Sequence, residues 1–338
     1  MHIIDGLLER SDITKNAKGG SEYVSEKLVE YLGDKLVGFQ VVVSRLKFPL
    51  RDDRIRIFYA HDLPEDPESH HLANEGWKQY HRIVFCSHWQ QQQYIERYSI
   101  PWSRTIVLKN AIEPIAVDLS KKLDRQNNKI NIVYHTTPHR GLELLVPVFE
   151  KLAEKYDNIH LHVFSSFQIY GWEQRDQPYQ KLFNRINDHT QMSYYGYCPN
   201  EKLREYLKDM DIFAYPSIWK ETSCISLMEA MSAGLACVHP NLGALYETSS
   251  NWTFMYNWIE TPNDHAQFFY NFLDGVINVV INNTDQFKNN IINQKNFIDG
   301  YYNWPHRIEE WSDFLDSIRS LPTQIEQPTT EYFSYKTL

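Results

Sequence analysis

Short apolar segments alternate with amphipathic helical segments along this chain, and that alternation limits the possible folds more than any other feature of the sequence. In residues 20–33, for example, Val24, Leu28 and Leu32 share one face of a helix that Gly33 ends. The segments with the character of strands are residues 38–44, 55–60, 82–87, 104–108, 130–135, 159–164, 192–195, 212–215 and 235–238. Because strands that alternate with helices build βαβ units, the sequence predicts an α/β protein with mostly parallel sheets.

A polar stretch, residues 121–129, divides this alternation into two blocks. The length of 338 residues fits two domains of roughly 100–200 residues each. We therefore predict two Rossmann-like domains, residues 1–122 and 123–304, that face each other across a cleft, because ligands of open α/β sheets bind beyond the carboxyl ends of the strands. The Asn-rich residues 281–297 keep apolar side chains at helical intervals and are predicted to form a helix, whereas residues 322–338 lack periodicity and are predicted to be loose.

Composition and charge argue against several classes of partner. The net charge of -9 argues against a nucleic-acid-binding surface. No apolar run reaches the roughly 18 residues of a membrane span, so we expect at most peripheral contact with a membrane. The first residues lack the basic region and the cleavage site of a signal peptide, and the cysteines Cys86, Cys198, Cys224 and Cys237 have no CxxC spacing. Both features lead us to expect a cytoplasmic protein in a reducing compartment.

The stretch 215–234, YPSIWKETSCISLMEAMSAG, carries the strongest functional signal in the chain. A predicted strand ends at its start, and Pro216 opens a loop. Thr222 or Ser223 is expected to cap a helix that covers residues 224–233 and ends at Gly234. The stretch therefore predicts a strand, a loop and a capped helix in immediate succession.

Two glutamates lie on either side of the start of this helix. The backbone N–H groups of Ser223, Cys224 and Ile225 are expected to point out of the helix, where its dipole favours an anion such as a diphosphate. Glu221 precedes this anion site and Glu229 follows it. Because a phosphate repels a carboxylate, both glutamates are better suited to accept hydrogen bonds from the hydroxyls of a sugar and a ribose.

This spacing resembles the E-x7-E motif of the retaining glycosyltransferases of family 4, which have the GT-B fold. The residues that follow, AMSAGLACVHP, resemble the helix–glycine–strand ending of the same motif. The resemblance implies that Glu221 contacts the donor sugar and that Glu229 contacts the ribose of the nucleotide. It also implies a nucleotide-diphosphate sugar as donor, a carbohydrate or glycoconjugate acceptor, and no requirement for a metal or another cofactor.

Other features of the family occur in the expected order in the first half of the chain. Lys18-Gly19-Gly20-Ser21 resembles the glycine loop that lets the backbone approach the donor, which assigns Gly19 and Gly20 to donor binding. His61, after a predicted strand, stands where many relatives have a histidine that touches the transferred sugar, although a capping or core histidine explains the same position. Ser87 and Asn110 match positions that we interpret as structural.

In the second half, residues 134–141, YHTTPHRG, resemble the donor-phosphate loop of the family. Arg140 stands where many members have a lysine and would neutralise the donor diphosphate, while Thr136 and Thr137 would add hydroxyl donors. An upstream arginine that usually assists is missing, and Thr222-Ser223-Cys224 replaces the glycines that usually follow the first glutamate. The phosphate loop is therefore expected to be narrower than in relatives.

Two further segments complete the resemblance. Gly196 and Tyr197 resemble the loop that holds the nucleotide base, with Asn200 expected to cap the next helix. Residues 305–321 resemble the terminal helix that crosses back onto the first domain. We expect His61, Arg140 and Glu221 to act in catalysis, and the other assigned residues to bind the donor.

Alternative functions remain open at this stage. A sugar-nucleotide epimerase or a phosphorylase would share the fold, and a non-catalytic GT-B-like subunit would bind the nucleotide sugar without transferring it. Metal sites are poorly supported, because Pro138 interrupts the pair His135 and His139, and the pair His160 and His162 has no evident third ligand. The motifs GxSxG, Walker A and GxGxxG are absent from the sequence.

Overall fold

The computed structural model describes residues 2–5, 7–9, 19–124 and 129–325 of the chain. Within them the backbone forms two sheets of six strands each, one from each half of the chain. The predicted α/β class with mostly parallel sheets is thereby confirmed. Parts of three predictions lie outside the described residues: Lys18 of the glycine loop, residues 125–128 of the polar stretch, and residues 326–338 of the tail.

The first sheet combines four parallel strands with two short antiparallel ones. Its strands are β1 (His2–Ile4), β2 (Leu7–Glu9), β3 (Phe39–Val43), β4 (Ile55–Ala60), β5 (Arg82–Phe85) and β6 (Thr105–Val107). Their order is β2-β1-β3-β4-β5-β6; β3 to β6 are parallel, and β1 is antiparallel to both of its neighbours. The sequence analysis predicts neither β1 nor β2, each of which has three residues.

The second sheet is parallel throughout. Its strands are β7 (Ile130–Tyr134), β8 (Ile159–Val163), β9 (Met192–Tyr194), β10 (Ile212–Ala214), β11 (Ala236–Pro240) and β12 (Phe254–Tyr256), in the order β12-β11-β10-β7-β8-β9. The chain moves outward from β7 in one direction and returns to β10 on the other side of β7. Such a reversal of strand order opens a crevice at the carboxyl ends of the strands, where ligands of α/β sheets bind.

Helices surround both sheets. They are α1 (Gly20–Leu32), α2 (His88–Tyr98), α3 (Leu119–Leu123), α4 (Leu142–Ala153), α5 (Gln180–Asn187), α6 (Asn200–Leu207), α7 (Ile225–Ser232), α8 (Leu245–Ser249), α9 (Pro262–Asn282), α10 (Asp285–Tyr301) and α11 (Trp304–Ile318). The Asn-rich stretch predicted to be one helix contains a break. Asn283 adopts a left-handed φ of 42° after α9, and the side chain of Thr284 caps α10 by accepting a hydrogen bond from the amide of Phe287.

The two domains exchange segments at their boundary. Ile112, Ile115 and Leu119 pack against the core of the second sheet, whereas the sequence placed residues up to 122 in the first domain. Conversely, α11 packs against the core of the first sheet through residues such as Trp311 and Leu315. The chain therefore crosses between the domains twice, once before α3 and once before α11. No helix in the described part of the chain is long and apolar enough to span a bilayer.

Candidate active site

A cavity of about 810 Å³ lies between the two domains, at the carboxyl ends of strands from both sheets. Its wall contains every residue that the sequence analysis assigns to the site. These residues are Gly19, Gly20, His61, Thr136, Thr137, Arg140, Gly196, Tyr197, Glu221, Thr222, Ser223, Cys224, Ile225 and Glu229. The fold thus brings the predicted residues together in one place, and the function of each remains a prediction.

Glu221 is held by two hydrogen bonds to one of its carboxylate oxygens. Its side chain is buried, and Oε1 accepts a hydrogen bond from Arg140 Nη1 at 2.6 Å and another from the hydroxyl of Tyr215. Oε2 accepts no hydrogen bond from the residues that the structure describes. The protein therefore orients the carboxylate through one oxygen and leaves the other for a ligand.

Close backbone contacts fix the loops on both sides of Glu221. Gly243 has a φ of +63°, and a Cβ atom there would lie 2.6 Å from the backbone nitrogen and oxygen of Glu221. The amide of Ala244 donates a 2.7 Å hydrogen bond to the carbonyl of Glu221. Gly141, with a φ of +130°, lies against the carbonyl of Pro216 in the same loop. Glycine is required at both positions because a side chain would be strained and would collide with backbone atoms.

Glu229 is also held through one carboxylate oxygen, by residues of α6. Its Oε1 accepts hydrogen bonds from Arg204 Nη1 at 3.0 Å and from Asn200 Nδ2 at 3.1 Å. Burial raises the pKa of Glu229, while Arg204 and Asn200 oppose that increase. The prediction that Asn200 caps α6 is wrong, because Pro199 occupies the cap position and the Asn200 side chain faces Glu229 instead.

The start of α7 lies one residue later than predicted. Cys224 occupies the cap position without a capping side-chain hydrogen bond, so neither Thr222 nor Ser223 is the cap. Thr222 instead donates a 2.8 Å hydrogen bond from Oγ1 to the carbonyl of His61 in the first domain. Its hydroxyl therefore connects the two domains directly beside Glu221, a role that sequence spacing does not reveal.

The first domain contributes its glycine loop and His61 to the opposite wall of the cavity. A Cβ atom on Gly19 would lie 2.5 Å from Cε1 of Tyr170, and one on Gly20 would lie 3.3 Å from Cδ1 of Ile225. The glycine loop is therefore in close contact with the second domain. Burial lowers the pKa of His61 to about 3, which favours a neutral imidazole, and its buried Nε2 has no hydrogen-bond partner in the described part of the chain. A neutral imidazole with a free ring nitrogen is suited to bind a sugar hydroxyl.

Several cavity residues escape the sequence analysis. Arg45 and Arg175 line the cavity, and the guanidinium of Arg175 lies 4.2 Å from the ring centre of Trp172. Both arginines lie in segments without a motif, so no local sequence pattern predicts that they line the cavity. Asn200, which lines the cavity, and Arg204, which contacts Glu229 from outside it, do have one signal, since residues four apart share a face of a helix.

The histidines of the two pairs that the sequence analysis considered as metal ligands contact other side chains, although neither ring nitrogen of His135 has a hydrogen-bond partner among the described residues. His160 contacts Ser193 through Nε2 at 2.9 Å, and His162 contacts Tyr195 through Nδ1 at 3.0 Å. His139 stacks on Phe167 with a distance of 5.1 Å between ring centres. Among the residues with described positions, no group of three or more His, Cys, Asp or Glu side chains could hold a metal ion.

Solved structures of several glycosyltransferases share this fold. A glycosyltransferase from Rickettsia africae ESF-5 superposes with a TM-score of 0.64 and 16% identity, over 93% of this chain and 85% of that chain. Sucrose-phosphate synthase from Thermosynechococcus elongatus superposes with a TM-score of 0.60 and 14% identity, over 79% of this chain and 68% of that chain. The Anabaena protein HepE in complex with UDP-glucose superposes with a TM-score of 0.57 and 15% identity, over 78% of this chain and 72% of that chain. These likenesses show a common architecture, the two-domain GT-B fold.

A family model matches part of the second half of the chain. Residues 118–269 match the family model described as "Glycosyl transferases group 1". This segment includes both glutamates, Arg140 and the helix between them, so the matched domain carries most of the cavity wall. The chain therefore has the GT-B fold, and residues 118–269 of its second half are similar to the group 1 glycosyl transferases. No curated protein sequence matches the chain.

Proposed function

We propose that this protein is a retaining, metal-independent glycosyltransferase of family 4, which transfers a sugar from a nucleotide-diphosphate donor to an acceptor hydroxyl. The observation that carries the proposal is the arrangement around α7. Glu221 and Glu229 lie in one cavity with the start of α7 between them, and each keeps one carboxylate oxygen for a ligand. A diphosphate at the helix start would place the sugar near Glu221 and the ribose near Glu229.

Arg140 and α7 would stabilise the charge that develops on the leaving diphosphate. Arginine has five N–H donors, and the bond to Glu221 uses one of them. The buried Nε of Arg140 has no partner among the described residues, which leaves it free to bind phosphate. Electrostatic stabilisation by such preorganised donors is usually the largest contribution to catalysis.

The resemblance to family 4 supports a substitution on one face of the sugar. The bond between the anomeric carbon and the phosphate oxygen breaks, and the bond to the acceptor oxygen forms on the same face. The proton of the acceptor hydroxyl passes to an oxygen of the leaving diphosphate. The two domains enclose the cavity and would limit the competing attack by water.

A titration with UDP-, GDP-, ADP- and dTDP-sugars, followed by thermal unfolding, identifies the donor. Binding to the folded state increases the free energy of unfolding by about 2.7 kcal/mol at a ligand concentration 100 times Kd. The true donor therefore raises the unfolding temperature. With that donor and a simple alcohol as acceptor, NMR then shows the configuration of the glycoside that forms, which does not mutarotate, with and without a chelator.

Retention of configuration with the chelator present supports the proposal. Inversion, or activity that the chelator abolishes, contradicts it. Conversion of the donor into an isomeric nucleotide sugar would establish the epimerase alternative, and binding without any turnover would establish the non-catalytic one.

A further inference from the structure

Arg204 makes two contacts that connect the donor cavity with the rest of the molecule. The residue belongs to α6, and its side chain is only 16% exposed. Nη1 donates to Oε1 of Glu229 at 3.0 Å, and Nη2 donates to the backbone carbonyl of Glu113. One guanidinium therefore holds both a cavity carboxylate and the segment that joins the two domains.

Glu113 in turn contacts α1 of the first domain. Its carboxylate Oε1 accepts a hydrogen bond from the hydroxyl of Tyr31 at 3.0 Å and lies 3.5 Å from Nζ of Lys27. Helix α1 begins at Gly20, at the glycine loop that lines the cavity. A continuous series of contacts therefore runs from Glu229 through Arg204 and Glu113 to the helix that carries the glycine loop.

The surroundings of Glu229 show why its position depends on an arginine. The carboxylate is 3% exposed, and a buried unpaired charge is costly. The charged or titratable groups near it are Arg204 from α6 and Tyr23 from α1, and Tyr23 is also close to Glu113 and Arg204. Arg204 is thus the cation that compensates Glu229. A lysine in its place would lack the planar fork that reaches two acceptors in fixed directions.

We propose that Arg204 is a positioning residue: it holds Glu229 so that the free carboxylate oxygen meets the ribose of the donor, and it links this contact to the interdomain segment at Glu113. The inference rests on the proposed function, since it takes Glu229 to bind the ribose. Arg204 does not itself line the cavity, so its effect on the donor passes through Glu229.

Calorimetric titration of three variants tests this role. Arg204→Gln removes the charge and the fork, Arg204→Lys keeps the charge, and Lys208→Gln is a matched control. Lys208 lies directly after the same helix and pairs only with the exposed side chain of Glu205 among the described residues. The probe is UDP, GDP or ADP, whichever stabilises the wild-type protein most, together with the 2′,3′-dideoxy form of the same nucleotide.

Arg204→Gln is expected to weaken binding of the ribonucleotide about tenfold or more, as for the loss of a hydrogen bond to a charged group. Binding of the dideoxy nucleotide is expected to change less than about twofold, because the hydroxyls that Glu229 would bind are absent. The loss of ribonucleotide affinity at low pH is expected to begin at a higher pH in Arg204→Gln, since the charge that opposes protonation of Glu229 is gone. Arg204→Lys should restore the pH profile but not the full affinity.

Equal weakening of both nucleotides by Arg204→Gln overturns the proposal, because a general structural defect affects them alike. Affinity and pH profile like those of Lys208→Gln overturn it as well. If Arg204→Gln fails to fold, the same comparison is made with Arg204→Lys, whose deficit must be confined to the ribonucleotide. Failure of the proposed function shows in the wild-type protein instead, which would then bind none of the three nucleotides, or would bind the nucleotide sugar without transferring the sugar.

Discussion

The two walls of the cavity differ in how their functional groups are held. In the second domain, Glu221 and Glu229 are each oriented by an arginine of the same domain, Arg140 and Arg204. In the first domain, one ring nitrogen of His61 has no partner among the residues that the structure describes, and the His61 backbone carbonyl accepts a hydrogen bond from a hydroxyl of the second domain. The wall of the second domain is therefore organised from within, whereas the wall of the first domain depends on contacts across the cavity.

Under the proposed function, this difference would give the two domains different tasks. Preorganised charges can stabilise a leaving diphosphate without rearrangement, which suits the second domain to bind the donor. Contacts across the cavity can form and break as the domains move, which suits the first domain to admit an acceptor and exclude water. The predictions below test whether the walls respond differently to mutation.

The largest effect is expected from Arg140→Ala in the second wall. Its removal takes away a phosphate ligand and leaves Glu221 buried without its cation, so turnover should fall about 100- to 1,000-fold. Steady-state kinetics with the identified donor measures the change. Arg175→Ala is the control, because Arg175 is exposed and stacks on Trp172 at the rim. An equal loss in both variants would show that the wall acts as a diffuse positive surface rather than as an ordered site.

A substitution in the loop behind Glu221 should affect stability next most strongly. Gly243→Ala places a Cβ atom against the backbone of Glu221 at a positive φ and should cost about 3 kcal/mol of unfolding free energy. Gly275→Ala, in α9, has no heavy atom within 4 Å of the added methyl group and should be neutral or slightly stabilising. Chemical denaturation compares the two variants. Similar stabilities would contradict the claim that the second wall has a rigid backbone.

The contact that joins the domains at Glu247 should have a smaller effect. The Glu247 carboxylate accepts hydrogen bonds from the amides of His88 and Trp89, both at 3.0 Å, and from Lys109, all in the first domain. Glu247→Gln should cost about 2 kcal/mol and should enlarge the radius of gyration measured by X-ray scattering. Burial raises the pKa of Glu247, but the His88 amide and Lys109 lower it below its ordinary value.

The pH dependence of this contact has a definite sign. The stabilisation is fully present above the ordinary glutamate pKa and is lost as the pH falls through the lowered pKa of the folded state. Glu150→Gln is the control, because Glu150 pairs with Arg185 inside the second domain. If scattering shows no opening in Glu247→Gln, the first wall does not depend on this contact.

The smallest effect concerns the titration of Glu229. Its raised pKa means that the carboxylate takes up a proton at a higher pH than an ordinary glutamate, whose pKa is 4.5. As the pH falls, the donor affinity should therefore begin to decline at a higher pH than it would if the ribose were bound by an exposed glutamate. Glu229→Gln should lower the donor affinity about tenfold and should abolish this decline at low pH. A pH profile that is unchanged in Glu229→Gln would show that another group titrates.

Sequence reasoning was most successful where one element carries the signal. Strands β7 to β11 of the second sheet and α1 follow from hydrophobic periods, and the E-x7-E spacing locates both glutamates of the cavity. Sequence reasoning failed for the three-residue strands β1, β2 and β12, and for the caps of α6 and α7. A side chain that suits a cap can bind a distant partner instead, as Thr222 does with the carbonyl of His61.

Local patterns by themselves determined the class of fold, the start of a helix between two glutamates and a set of residues that line one cavity, because each pattern lies within one strand, loop or helix. Only the tertiary structure decided which arginine holds which glutamate and how the first domain is held against the second. Arg140 lies 81 residues from Glu221, and Glu247 lies 159 residues from His88. Such pairs form when separate elements pack together. Hydrophobic periodicity predicts each element but does not indicate which other element it contacts.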